Sequence, residues 1–530
     1  MLQTETDFAS KLCFILSWAT LNFAWIAALR RPALSGALSL TMVVILVLLS
    51  QLKHNILQMT VNFVDLMMID RDSISFLFTI FPNLRWSAVI AAVLIVPLMI
   101  ALWRLDPFRI RRLPAGAAAL GSMAALVGFS LASPPEDWRG YYPDNYVSKF
   151  TRSGVVAVSD YVNYGFMESD AALAERLKVP REEACHPAAR RPHIIMIHDE
   201  SSYDIRSAPG IKVPSGYGNH FVSADGKARK FITEANGGSS WLTEYNVLTG
   251  LSTRSFGRFS YFVTRIAAGR VERGLPLALQ RCGYSTLSLY PAYGAFMAAR
   301  NFQTTAGIQK FHDARDLGAK GIEPDRFFYD NALRLMAQER QGQPLFMYIY
   351  LGANHFPWTA PYRPELTPAW SSLGNRPSID EYIRRQSMSA DDYRTFVANL
   401  KKQFPAEQFL IVRYGDHQPE FSWLIIEPTL SEDDIAKRLM VYDPRYFGTY
   451  YAIDGVNFKP ANSPTAMDSI DAPYLPLVIQ EAAGLPLDAS FEEQKRIMIR
   501  CKGMFYACKD GAEVRRFNRL LIDAGFVKNL

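Results

Sequence analysis

The chain has 530 residues, 49% of them hydrophobic and 20% charged, with a formal net charge of +6 and a mean hydropathy of -0.02. This is too apolar for a disordered chain and too polar for a bundle lying wholly in a membrane. The charge is too small for the length to argue for nucleic acid as a partner. The average hides a split: long apolar runs dominate to about Ser133, and the rest reads as an α/β globular protein. A purely soluble enzyme, a polytopic transporter and a fibrous protein are thereby excluded.

Four runs are long and apolar enough to cross a hydrocarbon core, which takes roughly 18 or more nearly uncharged residues. They are Leu12–Leu29, Leu34–Leu52, Ser87–Trp103 and the slightly short Ala117–Ser133. No small-residue cleavage site follows the first, and further spans come at once, so it reads as a span and not a signal peptide. Asn55–Phe81 is also apolar but carries Asp65, Asp70, Arg71 and Asp72. Charges at bilayer depth are costly, so it reads as an interfacial segment or a span with a polar break. The count is therefore four or five. Arg104, Arg109, Arg111 and Arg112 mark a cytoplasmic loop, and the last span then delivers the C-terminal part outside. Four spans with the N-terminus outside also place Arg30 and Arg31 in the cytoplasm.

Cysteine usage agrees with an outside location. Cys13 lies in the first span; Cys185, Cys282, Cys501 and Cys508 lie in the exported part. An even number there fits two disulfides in an oxidising compartment. The short spacing favours Cys501–Cys508 as a local pair, leaving Cys185–Cys282. The expected organisation is an anchor over 1–135, a connector over 136–190 and a catalytic domain over 191–530. In the connector Trp138, Tyr141, Tyr142, Tyr146 and Phe150 fit a membrane interface or a linker packed on the domain.

In the exported part, short apolar runs at His193–His198, Ser285–Tyr290, Leu345–Tyr350 and Phe409–Val412 read as buried parallel strands. Helical patterns lie between them, at Leu242–Leu248 and Asp325–Arg340 among others. Such alternation predicts a parallel sheet with helices on both faces. Ligands in open α/β sheets bind at the carboxyl ends of the strands. There the sequence puts His198-Asp199-Glu200-Ser201, Tyr290-Pro291, Asn354-His355-Phe356-Pro357 and Tyr414-Gly415-Asp416-His417. Glu200, His355, Asp416 and His417 thus share one edge.

Asn236-Gly237-Gly238-Ser239-Ser240 precedes a helical run. Glycines and a hydroxyl at a helix start expose backbone N–H groups at a positive dipole end, which suits a phosphoryl group. Either serine alone would also be an ordinary helix cap. Glu200, Asp416 and His417 with the Ser240 oxygen make an oxygen-rich, four-coordinate set suited to one divalent ion, Zn2+ or Mn2+. Such an ion would activate the Ser240 oxygen as a nucleophile.

These motifs, with Leu248-Thr249-Gly250-Leu251 closing the helix, resemble the alkaline phosphatase/sulfatase superfamily, and most of all its membrane-anchored phosphoglycerol and phosphoethanolamine transferase branch. The likeness covers about residues 190–480. It implies an α-helical transmembrane bundle of four or five spans plus an α/β/α alkaline-phosphatase-like exported domain. It implies metal ligation by Glu200, Ser240, Asp416 and His417, with Ser240 the nucleophile and Ser239 the alternative. The family position usually holds threonine, four residues before a glutamate; here Glu244 stands at that spacing. His355 would contact the phosphoryl oxygens or the leaving group, and Arg300 would clamp phosphate. Ser240 is followed by Trp241-Leu242-Thr243, which lacks the proline and arginine of the sulfatase nucleophile signature. No tryptophan follows the Ser285–Tyr290 strand as it does in lipoteichoic acid synthase, so a different head-group pocket is expected.

The resulting expectation is a monomeric bacterial inner-membrane phosphotransferase with a periplasmic catalytic domain. A phospholipid donor would pass its head group through a phospho-serine to a glycan or lipid hydroxyl. The alternatives are a hydrolase of the same fold and a non-enzymatic membrane sensor or scaffold.

Overall fold

A computed structural model describes residues 2–57, 59–69, 74–75, 77–78, 81–134, 141–178, 185, 191–340 and 342–530. The chain folds as two compact units. One holds residues 1–165 with 431–441, the other 166–430 with 442–530.

Among the described residues the first unit contains four helices long and apolar enough to cross a membrane: Phe8–Leu29, Pro32–Leu57, Pro82–Leu105 and Arg112–Ala132. Asp7 caps the first, its Oδ1 accepting from the Ser10 N–H at 2.8 Å. Arg30 ends it in the left-handed conformation, and Pro32 opens the next helix where its missing N–H costs nothing. The two arginine-bearing loops meet at one end. The Ile110 N–H donates to the Arg30 carbonyl at 3.0 Å, and Arg31 Nη1 donates to the Asp106 carbonyl at 2.9 Å. At the other end Glu5 accepts from the Val147 N–H and the Ser148 hydroxyl. The Pro82–Leu105 helix has no buried side chain in its apolar window, as suits a surface solvated by lipid.

No membrane-length helix occurs between 57 and 82 among the described residues. A short 3-10 turn, Phe63–Met68, is capped reciprocally by Asn62 and Asp65. Asp65 also pairs with Lys53 at 2.7 Å. The Phe63 N–H donates to Ser153 Oγ, which docks the segment on helix Tyr146–Tyr164. That helix, assigned by sequence to the connector, thus packs within the anchor unit. Asp70, Arg71, Asp72, Trp138 and most of 179–190 lie outside the described residues.

The second unit is built on one eight-stranded sheet in the order β4-β3-β5-β1-β6-β7-β2-β8. Its strands are β1 His193–Asp199, β2 Arg229–Ile232, β3 Ser285–Leu289, β4 Lys310–His312, β5 Leu345–Tyr350, β6 Phe409–Gly415, β7 Gly448–Val456 and β8 Ser469–Asp471. The sheet is mixed, not purely parallel as expected: β7 runs antiparallel to both β6 and β2. The centre, β3-β5-β1-β6, is parallel. Its strands are apolar runs because both faces are covered. On one face Ile195, Ile197, Met347 and Ile411 pack with Phe328, Leu333 and Phe396. These last come from helices Asp325–Glu339 and Pro377–Gln403. β6 runs to Gly415, further than its apolar stretch suggests, so Asp416 follows the strand directly. Disulfides Cys185–Cys282 and Cys501–Cys508 are formed, and Cys13 is buried and joins neither disulfide.

Candidate active site

Three segments converge at the carboxyl ends of β1 and β6. Parallel pairing sets Asp199 opposite Gly415, so Glu200 and Asp416 leave the sheet side by side. Ser240 begins helix Ser240–Thr249 after Ser239 in the left-handed conformation. Gly237 and Gly238 also have positive φ, which a side chain would disfavour. The Gly237 N–H donates to the Gln418 carbonyl at 3.1 Å, and Thr243 Oγ1 donates to the Asp416 carbonyl at 2.7 Å. The helix start is thereby tied to the Asp416 loop, with its positive end at Ser240.

Ser240 Oγ lies 3.1 Å from His417 Nε2 and donates to Glu200 Oε2 at 3.4 Å. His417 Nε2 is 3.3 Å from Asp416 Oδ2 and 3.7 Å from Glu200 Oε1. Glu200, Asp416 and His417 are all buried. His417 Nδ1 sits 2.8 Å from the Gln418 carbonyl. A carbonyl only accepts, so Nδ1 carries the proton and Nε2 keeps its lone pair for the site. Ser239 Oγ, by contrast, is buried with no hydrogen-bond partner. The structure therefore brings together Glu200, Ser240, Asp416 and His417, while the Ser239 hydroxyl makes no hydrogen bond to any of them.

The carboxylates are driven apart in acidity. Burial pushes Glu200 well up, and the neighbouring Asp416 pushes it further. Burial would also raise Asp416, but His417 and His198 outweigh it and hold Asp416 well below the usual range. Asp416 Oδ1 accepts the N–H of Ser201 at 2.7 Å and of His417 at 2.9 Å. Its Oδ2 is buried without a hydrogen bond. That orphaned oxygen, with donor-to-donor spacings of 3.1–3.7 Å, fits a divalent cation, whose ligands at about 2.0–2.2 Å from the ion stand about 3–3.5 Å apart.

His198 belongs to this cluster as well, and sequence reasoning left it in a strand. Its ligand nitrogen, a Glu200 oxygen and an Asp416 oxygen lie within 4.8 Å of one another. One signal was legible: a histidine inside an otherwise apolar buried run.

His355 is close enough for His417 and Asp416 to act on its charge, and burial disfavours its protonated form, lowering its pKa to about 4. Its Nδ1 lies 2.7 Å from the Phe356 carbonyl. Arg385 holds this loop by donating to the carbonyls of His355, Pro357 and Ala360. Arg300 is engaged elsewhere, pairing with Asp313 and Asp316 at 2.9 Å each and donating to the Phe311 carbonyl.

Residues 233–465 match the family model described as Sulfatase. They form a domain of the sulfatase/alkaline phosphatase superfamily. This sulfatase-family domain contains Ser240, Asp416 and His417. Lipoteichoic acid synthase of Staphylococcus saprophyticus is 28% identical over 152 residues, which are 27% of this chain and 23% of that protein. The enzyme of the same name from Staphylococcus aureus is 27% identical over 153 residues, with the same coverage. The aligned part thus spans under a quarter of these relatives. Among solved structures, Streptococcus pyogenes phosphoglycerol transferase GacH in complex with sn-glycerol-1-phosphate is 16% identical. It covers 63% of this chain and 85% of its own, with a TM-score of 0.48. The integral membrane lipooligosaccharide phosphoethanolamine transferase EptA of Neisseria meningitidis is 9% identical. It covers 89% and 95%, also with a TM-score of 0.48.

Proposed function

We propose that this protein is a membrane-anchored phosphotransferase. It moves a phosphoglycerol or phosphoethanolamine head group from a phospholipid to a hydroxyl of an envelope glycan or lipid. The observation that carries the reading is the Ser240 hydroxyl, set at a helix start between His417 Nε2 and Glu200 Oε2. The superfamily assignment and the likeness to lipoteichoic acid synthases support it. Four apolar helices in the same chain support a donor drawn from the bilayer, with the site on the outer, periplasmic side of an inner membrane. The two disulfides suit that compartment.

In the first step Ser240 Oγ attacks the head-group phosphorus. The new O–P bond forms as the bond to the diacylglycerol oxygen breaks, and diacylglycerol departs as the alcohol with one proton. In the second step an acceptor hydroxyl attacks the same phosphorus, the Ser240 O–P bond breaks, and the serine regains its proton. Glu200, Ser240, Asp416 and His417 would hold a divalent ion, Zn2+ or Mn2+, which supplies Lewis-acid stabilisation of developing charge. The backbone N–H groups at the helix start add to that stabilisation. The Phe356 carbonyl keeps the His355 proton on Nδ1, leaving Nε2 the basic nitrogen. An anionic phosphodiester beside it raises its proton affinity. His355 is thus suited to accept the proton of the incoming hydroxyl and to protonate the leaving oxygen.

Diacylglycerol release by the full-length protein, with labelled phosphatidylglycerol or phosphatidylethanolamine, tests this. Release from one donor should rise when glycan acceptor is added. Equal rates with and without acceptor would reject transfer in favour of hydrolysis.

A further inference from the structure

We propose that His198 is a fifth ligand of the metal site, contributing Nε2 beside Glu200, Asp416, His417 and the Ser240 oxygen. The inference rests on reading those four residues as the ligand set.

His198 is fully buried at the end of β1. Its Nδ1 lies 2.9 Å from the hydroxyls of both Tyr348 and Tyr414, which are themselves 3.1 Å apart. Its ring stacks on Tyr350 with centroids 3.7 Å apart. Three tyrosines on neighbouring strands therefore fix the ring, and Nδ1 has two oxygens to which it can donate. With the proton on Nδ1, Nε2 presents its lone pair to the site, as metal-bound imidazoles do when a partner fixes their tautomer.

The other end of the ring is left open. Nε2 makes no hydrogen bond although Asp416 Oδ2 is 3.1 Å away, and that oxygen makes none either. The separation suits a hydrogen bond; the direction does not. Buried polar atoms are nearly always paired, and each orphan is costly. Here two orphans, one in β1 and one just past the end of β6, flank one point. Asp416 Oδ2 is also 3.3 Å from His417 Nε2, so two imidazole nitrogens border one carboxylate oxygen. A cation at that point satisfies all three. It also gives β1 two ligands two residues apart, His198 on the rigid strand end and Glu200 just beyond it. A second imidazole shifts preference away from Mg2+ and toward Zn2+.

Full-length protein in detergent, loaded with Mn2+, tests the assignment by electron spin-echo envelope modulation, which counts directly bound imidazoles. Two bound nitrogens are expected in the unaltered protein, and one each in His198→Gln and His417→Gln. Mn2+ affinity of His198→Gln should fall at least about tenfold, since even outer partners of a ligand are worth that much. One nitrogen in the unaltered protein, kept in His198→Gln and lost in His417→Gln, would overturn the role of His198 and leave the four-residue reading intact. No bound nitrogen in the unaltered protein would overturn both. The spectrum of the unaltered protein decides the count even if a variant fails to fold.

Discussion

Two histidine–aspartate pairs stand back to back on the sheet. His198 and Asp199 are neighbours in β1, so their side chains point to opposite faces. On one face Asp199 Oδ2 accepts from His220 Nε2 at 2.8 Å and from the Tyr450 hydroxyl at 2.5 Å. Arg413 donates to the His220 carbonyl and pairs with Asp454. The network is closed, none of these groups having an orphaned side-chain atom. On the other face His198 faces Asp416 with both inner atoms unpaired. The same chemistry, equally buried, is structural where every donor has its acceptor and poised for a ligand where it does not. Burial and residue type alone do not separate this site from the core network; two unpaired atoms facing each other, His198 Nε2 and Asp416 Oδ2, do.

The contrast can be broken from either side. Asp416→Asn should lower metal affinity most, by about 100-fold or more. It should leave unfolding stability unchanged or raised, because an amide can donate to His198; isothermal titration with Zn2+ and urea unfolding read the two effects. Asp199→Ala should do the reverse. It leaves His220 Nε2 and the Tyr450 hydroxyl without their buried acceptor, at a cost of about 1–3 kcal/mol for each unsatisfied group, with metal stoichiometry kept in the folded fraction.

A third expectation sharpens the same distinction with pH. Glu244 is fully buried below Ser240, and burial raises it to about 8, only partly offset by the hydrogen bond from Gln303. The native state therefore keeps a proton that the unfolded chain has lost. The stability is present below the ordinary carboxyl range and is lost as pH rises toward 8, by about 2 kcal/mol between pH 6 and 8. Glu244→Gln should remove that component of the slope in unfolding measured at the two pH values. The smallest effect expected is from Thr243→Val, about 1 kcal/mol in unfolding, for the hydrogen bond to the Asp416 carbonyl.

Much of this was legible in the sequence, for identifiable reasons. Buried parallel strands are short apolar runs, so β1, β3, β5 and β6 could be placed and Glu200, Asp416 and His417 set on one edge. The membrane helices declare themselves by length. The reversed β7 was not legible, because its hydrogen-bonded direction leaves no mark in Gly448–Val456. Nor was the docking of Tyr146–Tyr164 within the anchor, which depends on Phe63 and Ser153. Arg300 sits near a strand end as spacing suggests, yet Asp313 and Asp316 occupy its guanidinium, and partners distant in sequence are not written in a motif. His198 was read as a strand residue because its orphaned nitrogen exists only once β5 and β6 supply Tyr348 and Tyr414.

The most direct test is the mass of the Ser240 peptide from full-length protein isolated from cells with the donor lipid present. A phosphoglycerol or phosphoethanolamine adduct on Ser240, absent from Ser240→Ala, is the expected result. An unmodified Ser240 peptide with the adduct on another residue, or an adduct that persists in Ser240→Ala, would contradict the assignment of this serine as the nucleophile.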